Sequence, residues 1–156
     1  MGTKHILTGS LAVSLLLLLM IGVARPQSAK TSKSDANAMR VLDEWMTAWN
    51  ASDPQRLAGT CNFPHVRIAG GKVTVWQTPS EFEKEHLNSI PLERNWHHSA
   101  WDVRKVVQSS NDKVHVALSF TRYDAKGVKI ATYEALYVVT NQDGHWGVQA
   151  RSSFAP

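Results

Sequence analysis

Two adjacent histidines, His97 and His98, are the residues of this sequence whose type most directly suggests chemistry. An imidazole titrates near neutral pH, so it can act as a general base or orient a ligand. Neighbouring residues of a strand point to opposite faces, so the two cannot share one site without a bulge. We expect His97 at the mouth of an interior pocket, as the candidate catalytic residue, and His98 on the other face. The alternative is a hydrogen-bonded histidine at the start of a strand.

The sequence contains no motif typical of a metal site or of a catalytic nucleophile. The remaining histidines of the main part of the chain lack the compact spacing of a motif such as His-Glu-x-x-His; they are His65, His86, His115 and His145. Cys61 is the single cysteine, and we interpret it as a small buried hydrophobe rather than a nucleophile. No Gly-x-Ser-x-Gly elbow occurs. We therefore expect neither a metal nor a cofactor.

Charged side chains in strand-like segments provide two further candidates. Arg67, on a predicted hairpin, either clamps an acidic ligand or is an exposed arginine on an edge strand. Glu134 and Arg151 are expected to face each other across the last hairpin, with His115 on the neighbouring strand. Such a pair can hold a polar ligand, although opposite charges on neighbouring strands commonly stabilise sheets.

The formal net charge of +4 is located at the N-terminus. Four residues, Lys4, Arg25, Lys30 and Lys33, account for it, and the 13 Lys and Arg that follow equal the 13 Asp and Glu of the chain. A neutral domain lacks the basic surface that phosphate-backbone binding requires, so nucleic acid is excluded as a partner.

The first 24 residues have the pattern of a secretory signal. Lys4 and His5 precede an uncharged apolar run from Ile6 to Ala24. We predict a signal peptide over residues 1–24, a polar linker over 25–34 and one domain over 35–156, in a secreted or periplasmic protein. The alternative is an uncleaved membrane anchor over residues 6–24, since this run is just long enough to span a bilayer. No other membrane contact is expected.

Three helices are predicted before the long strands. Apolar residues recur at helical spacing after Ser34 or Asp35, either of which is a suitable N-cap. Asp53-Pro54 then begins a short second helix. Thr78-Pro79-Ser80-Glu81 has the pattern of a capping box that begins a third helix, which Pro91 ends.

Strands are predicted wherever the apolar period is two. Gly70-Gly71 separates two β-branched runs and indicates a hairpin in which His65 pairs with Trp76 and Ile68 with Val73. Four longer strands follow over roughly 96–108, 113–123, 128–140 and 145–154. Residue parity assigns one face of them to the core: Trp101, Val103, Val107, Val114, Val116, Leu118, Phe120, Ala131, Tyr133, Ala135, Tyr137, Val139, Trp146, Val148, Ala150 and Phe154. The fold class is therefore α+β, with three N-terminal helices packed on a curved, mainly antiparallel sheet of about six strands.

Three segments carry a family resemblance: WMTAWNASDPQRLAGT, FPHVRIAGGKVTVW and TYEALYVVTNQDGHWGVQARSSF. With the order of the elements, they resemble the nuclear transport factor 2-like superfamily, in particular its SnoaL-like branch. The resemblance implies a cone-shaped α+β barrel with a pocket. Its members include isomerases, cyclases, hydrolases and non-catalytic modules, so it does not define a reaction. The strand that carries the catalytic carboxylate in the isomerase and cyclase branches reads FPHVRIA here and has no acidic residue.

We expect a binding protein for a small, largely apolar ligand. The predicted ligand-binding residues are Trp45, Trp49, Arg67, His97, Tyr133, Tyr137 and Trp146. One alternative is an isomerase, cyclase or hydrolase in which His97 replaces the missing carboxylate. Another is a non-catalytic module that forms a homodimer through the polar face of the sheet.

Overall fold

The computed structural model describes residues 1–2, 32–89 and 94–156. Residues 3–24 of the predicted signal segment, residues 25–31 of the predicted linker and Pro91, the predicted end of the third helix, lie outside the described residues. Of the helices within the described ranges, none is both long enough and apolar enough to cross a membrane.

Three helices occupy the described part of the chain, α1 (Lys33–Asn50), α2 (Pro54–Gly59) and α3 (Pro79–Ser89). α1 begins earlier than predicted, because Ser32 and Asp35 form a reciprocal capping box: the Ser32 hydroxyl accepts from the Asp35 amide, and the Asp35 carboxylate accepts from the Ser32 amide. α2 begins as predicted, with the Asp53 carboxylate accepting from the Arg56 amide at 2.9 Å and proline in the first turn.

Six strands form one sheet in the described residues: β1 (Cys61–Ala69), β2 (Lys72–Trp76), β3 (His98–Ser109), β4 (Lys113–Tyr123), β5 (Lys129–Gln142) and β6 (His145–Ser153). Their order is β2-β1-β6-β5-β4-β3. β1 pairs with β6 in parallel, and every other neighbouring pair is antiparallel. The α+β class with a six-stranded sheet is thus confirmed.

α1 is the helix that covers the sheet, with contacts to β3, β4, β5 and β6. α2 and α3 pack mainly on each other, while α2 also contacts α1 and α3 also contacts β2. The predicted arrangement, with three N-terminal helices on the sheet, therefore applies directly to α1 alone. α3 follows the first hairpin in the chain, so it packs at the β2 side of the molecule.

The β1–β2 register is the predicted one, with His65 opposite Trp76 and Ile68 opposite Val73. The more apolar face of this hairpin is exposed, whereas the more polar face is buried. Ile68 and Val73 are exposed, whereas His65 and Trp76 are buried and Arg67 is 8% exposed. β1 is an interior strand, with β2 on one side and β6 on the other, and Arg67 lies on the same face of the sheet as Arg151. The interpretation of Arg67 as an exposed edge-strand residue is therefore wrong.

β3 and β6 contain extra residues that change residue parity. Shifts between Trp101 and Val103, and between Val106 and Gln108, leave Val103 and Val107 exposed although both were predicted to be core residues. The last hairpin has a two-residue turn, with Gln142 opposite His145, and Gln149 of β6 is an extra residue between the pairs Val139–Val148 and Val138–Ala150. Together these two features pair Arg151 with Tyr137 rather than with Glu134. The predicted Glu134–Arg151 pair does not form. Phe154, another predicted core residue, follows β6 and is 82% exposed.

Gly147 of β6 lies against the backbone of β1. A methyl group added at its Cα would approach the carbonyl carbon of Cys61 to 2.6 Å and the amide nitrogen of Asn62 to 2.8 Å. Because backbone atoms cannot move aside as a side chain can, we expect Gly147→Ala to lower the free energy of unfolding by about 1–3 kcal/mol. Urea denaturation measures this loss. Gly59→Ala, where the methyl group meets open space, is the control and should cost nothing; equal losses at the two sites would contradict the packing explanation.

Candidate functional site

A cavity lies between α1 and the face of the sheet that α1 covers. Its lining comes from α1, five of the strands and the segment after β6: Trp45, Met46, Trp49, Arg67, Ser99, Trp101, Phe120, Arg122, Tyr137, Arg151, Ser153 and Ala155. The volume of this cavity is about 20 Å³, which is room for about one water molecule. The space is about 380 Å³ when the crevices between lining atoms and the open mouth are included. A bound organic molecule therefore has to displace lining side chains.

Four rings form an aromatic wall of this cavity, Trp45, Trp101, Phe120 and Tyr137. Each packs edge to face on the next. The ring centroids are 5.8 Å apart for Trp45 and Tyr137 and 6.1 Å apart for both pairs made by Trp101. The indole nitrogen of Trp101 donates to the backbone oxygen of Leu42 at 3.2 Å. These contacts hold the aromatic wall in place and give one side of the cavity an apolar surface.

Hydrogen bonds between α1 and β3 fix the mouth of the cavity. The Ser99 amide donates to Asn50 Oδ1 at 2.8 Å, and Asn50 Nδ2 donates to the Ser99 oxygen at 2.9 Å. The indole nitrogen of Trp96 donates to Ser99 Oγ at 3.0 Å. Since Asn50 is the last residue of α1, this exchange sets the distance between the helix end and the sheet.

Three arginines provide the charged part of the cavity lining. Arg67 and Arg151 are register partners on β1 and β6, so they lie on the same face of adjacent strands. Arg67 Nη2 donates to the backbone oxygen of Pro156 at 2.8 Å. Arg151 Nη2 lies 3.1 and 3.2 Å from the two ring nitrogens of His86, and the Arg151 guanidinium lies 5.0 Å from the Trp45 ring centre. The third arginine, Arg122, lies over the Tyr133 ring at 4.9 Å.

These arginines place positive charge in a poorly hydrated space. Arg67, Arg122 and Arg151 are 8%, 2% and 6% exposed. Burial, and then the charges of Arg151 and Arg122, lower the pKa of Arg67, while Tyr137 acts in the opposite direction. Within the described residues, no aspartate or glutamate lines the cavity. Buried charge is costly unless an opposite charge lies nearby, so Arg67 and Arg151 favour an anion in the cavity.

Two buried histidines lie beneath the arginines. His65 Nδ1 donates to the Val148 oxygen at 2.8 Å, and the His65 ring stacks on Trp45 at 5.9 Å. The His86 ring stacks on Phe82 at 4.1 Å. Burial, followed by the charge of Arg151, lowers the pKa of His65 to about 3 and the pKa of His86 well below 6.5. Both imidazoles are therefore neutral at pH 7, and His86 accepts a hydrogen bond from Arg151.

Four of the predicted ligand-binding residues line the cavity, namely Trp45, Trp49, Arg67 and Tyr137. The other three lie outside its lining. Tyr133 packs on Phe120 and Arg122, and Trp146 lines a separate groove beside the start of α1. His97 is exposed and precedes β3, so strand alternation does not apply to it, and its Nδ1 lies 3.2 Å from His98 Nδ1. Ligand binding by all seven stays a prediction.

Sequence reasoning did not single out Arg122 or Arg151 as cavity residues. Every second residue of β4 points into the core, and Phe120 is one of them. Arg122 lies two residues later, on the same inward face. That parity was a usable signal for Arg122. For Arg151 it was not, because the extra residue Gln149 in β6 changes the face of the sheet on which Arg151 lies.

Metal and thiol chemistry find no support in the described residues. Across 32–89 and 94–156, no group of three or more His, Cys, Asp or Glu side chains is arranged to hold a metal ion. Cys61 Sγ lies 3.4 Å from the Leu57 oxygen, and burial raises the pKa of its thiol to about 12. The thiol is therefore protonated, as expected of a small core residue.

Comparisons with known proteins agree on the fold. Residues 34–153 match the model of a family described as NTF2-like protein (DUF6841). A ketosteroid isomerase-like protein from Erwinia carotovora atroseptica SCRI1043 has 22% identity and a TM-score of 0.60, with 80% of this chain and 99% of that chain covered. An NTF-2 like protein of unknown function from Shewanella oneidensis MR-1 has 16% identity and a TM-score of 0.61, covering 76% and 97%. An NTF2-like protein from Cytophaga hutchinsonii ATCC 33406 has 18% identity and a TM-score of 0.60, covering 80% and 99%. Among curated proteins, none matches this chain.

Proposed function

This chain belongs to the NTF2-like protein family (DUF6841), and from that premise we propose that it binds a small molecule in the cavity between α1 and the sheet. The observation that carries the proposal is the aromatic wall, because a rigid apolar surface beside a few polar groups is typical of small-molecule sites. We further propose that it belongs to the SnoaL-like branch, which three segments of the sequence resemble. The alternative is an isomerase, cyclase or hydrolase that acts in the same cavity.

Entry of a ligand requires movement at the α1 side of the cavity. Met46 lies there and is partly exposed, and a methionine side chain adapts its shape at low cost. Trp49 is beside it and packs edge to face on Trp96 at 6.0 Å. We infer that Met46 and Trp49 move aside for the ligand while the aromatic wall stays in place.

A thermal-shift screen of small amphipathic compounds tests this function. A ligand at 100 times its Kd should add about 2.7 kcal/mol to the free energy of unfolding, which raises Tm by several degrees. Trp101→Ala, which removes part of the aromatic wall, should abolish the shift. Trp146→Ala, outside the cavity lining, is the matched control and should retain it. A screen in which no compound raises Tm would count against the binding function.

We also propose that the chain is exported, on the basis of the uncharged run Ile6–Ala24. Intact mass of the protein purified from its own host is the measurement. Loss of residues 1–24 is the expected result. Recovery of the full chain from a membrane fraction would favour the anchor instead.

Homodimer formation is a second candidate function, favoured by the outer face of the sheet. Val73, Ile68 and Leu136 belong to one row of paired residues across β2, β1, β6 and β5, and all three are exposed. Val103 and Phe154 add to this outer apolar surface. Exposed apolar patches of this kind often mark protein contacts.

Light scattering after size-exclusion chromatography tests the dimer. A dimer is expected for the parent chain, and Leu136→Lys should convert it to a monomer because a charge would be buried in the contact. Val128→Lys, at an exposed valine in the turn before β5, should leave the dimer intact. A monomeric parent chain would remove this candidate.

A further inference from the structure

We propose that Arg67 and Arg151 form an anion subsite that binds the carboxylate of a small organic acid, whose apolar body lies against the aromatic wall. This inference rests on the proposed ligand-binding function and deepens it by naming the ligand class. It replaces the largely apolar ligand that the sequence predicts with an amphipathic one.

The position of the two arginines is the first reason. Register partners on adjacent strands lie about 4.8 Å apart and point to the same side of the sheet. Like charges placed in this way destabilise a sheet, and they do so more strongly when buried. A negative charge between the two guanidinium groups would offset this repulsion.

The existing contacts of the two arginines leave hydrogen-bond donors unused. Arg67 Nη2 donates to an oxygen of Pro156, the last residue of the sequence, and Arg151 Nη2 donates to the neutral ring of His86. Nε of Arg67 and Nε of Arg151 are both buried and have no hydrogen-bond partner in the structure. Such donors are rarely left unsatisfied in folded proteins. A carboxylate, with four lone-pair positions on two oxygens, would satisfy both.

The surroundings hold the two guanidinium groups in place. His86 accepts from Arg151, and the Trp45 face lies against the same guanidinium. Arg67 is tethered to the segment after β6. Arginines fixed in this way lose little further side-chain freedom when an anion binds, which favours affinity.

The size and composition of the cavity define the ligand class. Space for about one water molecule near three buried cations suits a carboxylate group, while the aromatic wall suits an aromatic or branched body next to it. Arg122 is on the same lining and adds positive potential without needing direct contact. A compact monocarboxylic acid combines these properties, whereas a neutral hydrocarbon uses only the aromatic wall.

Matched pairs of acids and primary amides test this inference by isothermal titration calorimetry. The probes are benzoate, phenylacetate, cinnamate, naphthoate and branched aliphatic acids, each with its own amide of nearly the same shape. The acids that bind should bind about 10- to 100-fold more tightly than their amides, because hydrogen bonds to charged groups are the stronger ones. In Arg67→Met this advantage should disappear while the affinity for the amide is retained. Arg56→Met, at an exposed arginine of α2, should keep the advantage, and near-UV circular dichroism checks the fold of both variants.

The outcomes separate this inference from the proposed function. Acids and amides that bind equally well to the parent chain, or an acid advantage that Arg67→Met retains, would refute the anion subsite and leave the ligand-binding function standing. Failure of every acid and every amide to bind would count against the ligand-binding function, and the subsite would fall with it.

Discussion

Lowering the pH from about 7.5 to about 5 is expected to remove about 4 kcal/mol from the free energy of unfolding. His65 and His86 are fully buried, and burial together with the charge of Arg151 keeps both imidazoles neutral in the fold. In the unfolded chain each takes up a proton as the pH falls through 6.5, while folded His65 does so only near pH 3. The two histidines thus leave the free energy of unfolding unchanged well above pH 6.5. Below that pH they lower it progressively, by about 2 kcal/mol for each histidine at pH 5.

Urea denaturation at the two pH values measures this loss. The lowered carboxyl pKa values of Asp35 and Asp112 start from 3.8, so they affect stability only at still lower pH. His65→Asn, whose amide can still donate to the Val148 oxygen, should remove about half of the loss. His97→Asn, at an exposed histidine, is the control and should keep all of it. Equal stability of the parent chain at both pH values would show that the buried histidines do not control acid sensitivity.

Trp45→Ala is expected to lower the free energy of unfolding by about 3–5 kcal/mol, the usual cost of removing a buried tryptophan. Trp45 is 2% exposed and its ring contacts the rings of four residues from β1, β5 and α3: His65, Phe82, His86 and Tyr137. Its face also carries the Arg151 guanidinium at 5.0 Å. The substitution therefore leaves a cavity and removes the ring that stabilises a buried charge.

Two further variants isolate the contribution of the Trp45 position. Trp146→Ala removes a partly buried tryptophan at the periphery of the core and should cost less than half as much. Trp45→Phe keeps an aromatic face for Arg151 and should recover part of the loss. Guanidinium chloride denaturation of the three variants provides the comparison. If Trp45→Ala and Trp146→Ala cost the same, the ring cluster around Trp45 has no special role in stability.

Local patterns were sufficient for most of the secondary structure. Asp53-Pro54 predicted the start of α2, and Gly70-Gly71 predicted the β1–β2 register. Both depend on residues within a few positions of each other, so their physical causes are present in a short stretch of sequence. The same applies to the apolar stripe of α1, whose burial follows directly from its helical spacing.

The geometry of the candidate site depends on contacts between residues that are far apart in the sequence. Which face of β1 is buried follows from its parallel pairing with β6, where Cys61 lies opposite Val148, far along the chain. The extra residue Gln149 in β6 then places Arg151 opposite Tyr137 of β5, and the register of β1 with β6 places it opposite Arg67. A single extra residue in a strand exchanges its two faces, and nothing in the local period marks where that happens. The sequence by itself determined the helices, the hairpin and the aromatic residues of the cavity, whereas only the tertiary structure decided that buried arginines would meet there, because pairing between distant strands and register shifts set the direction of each side chain.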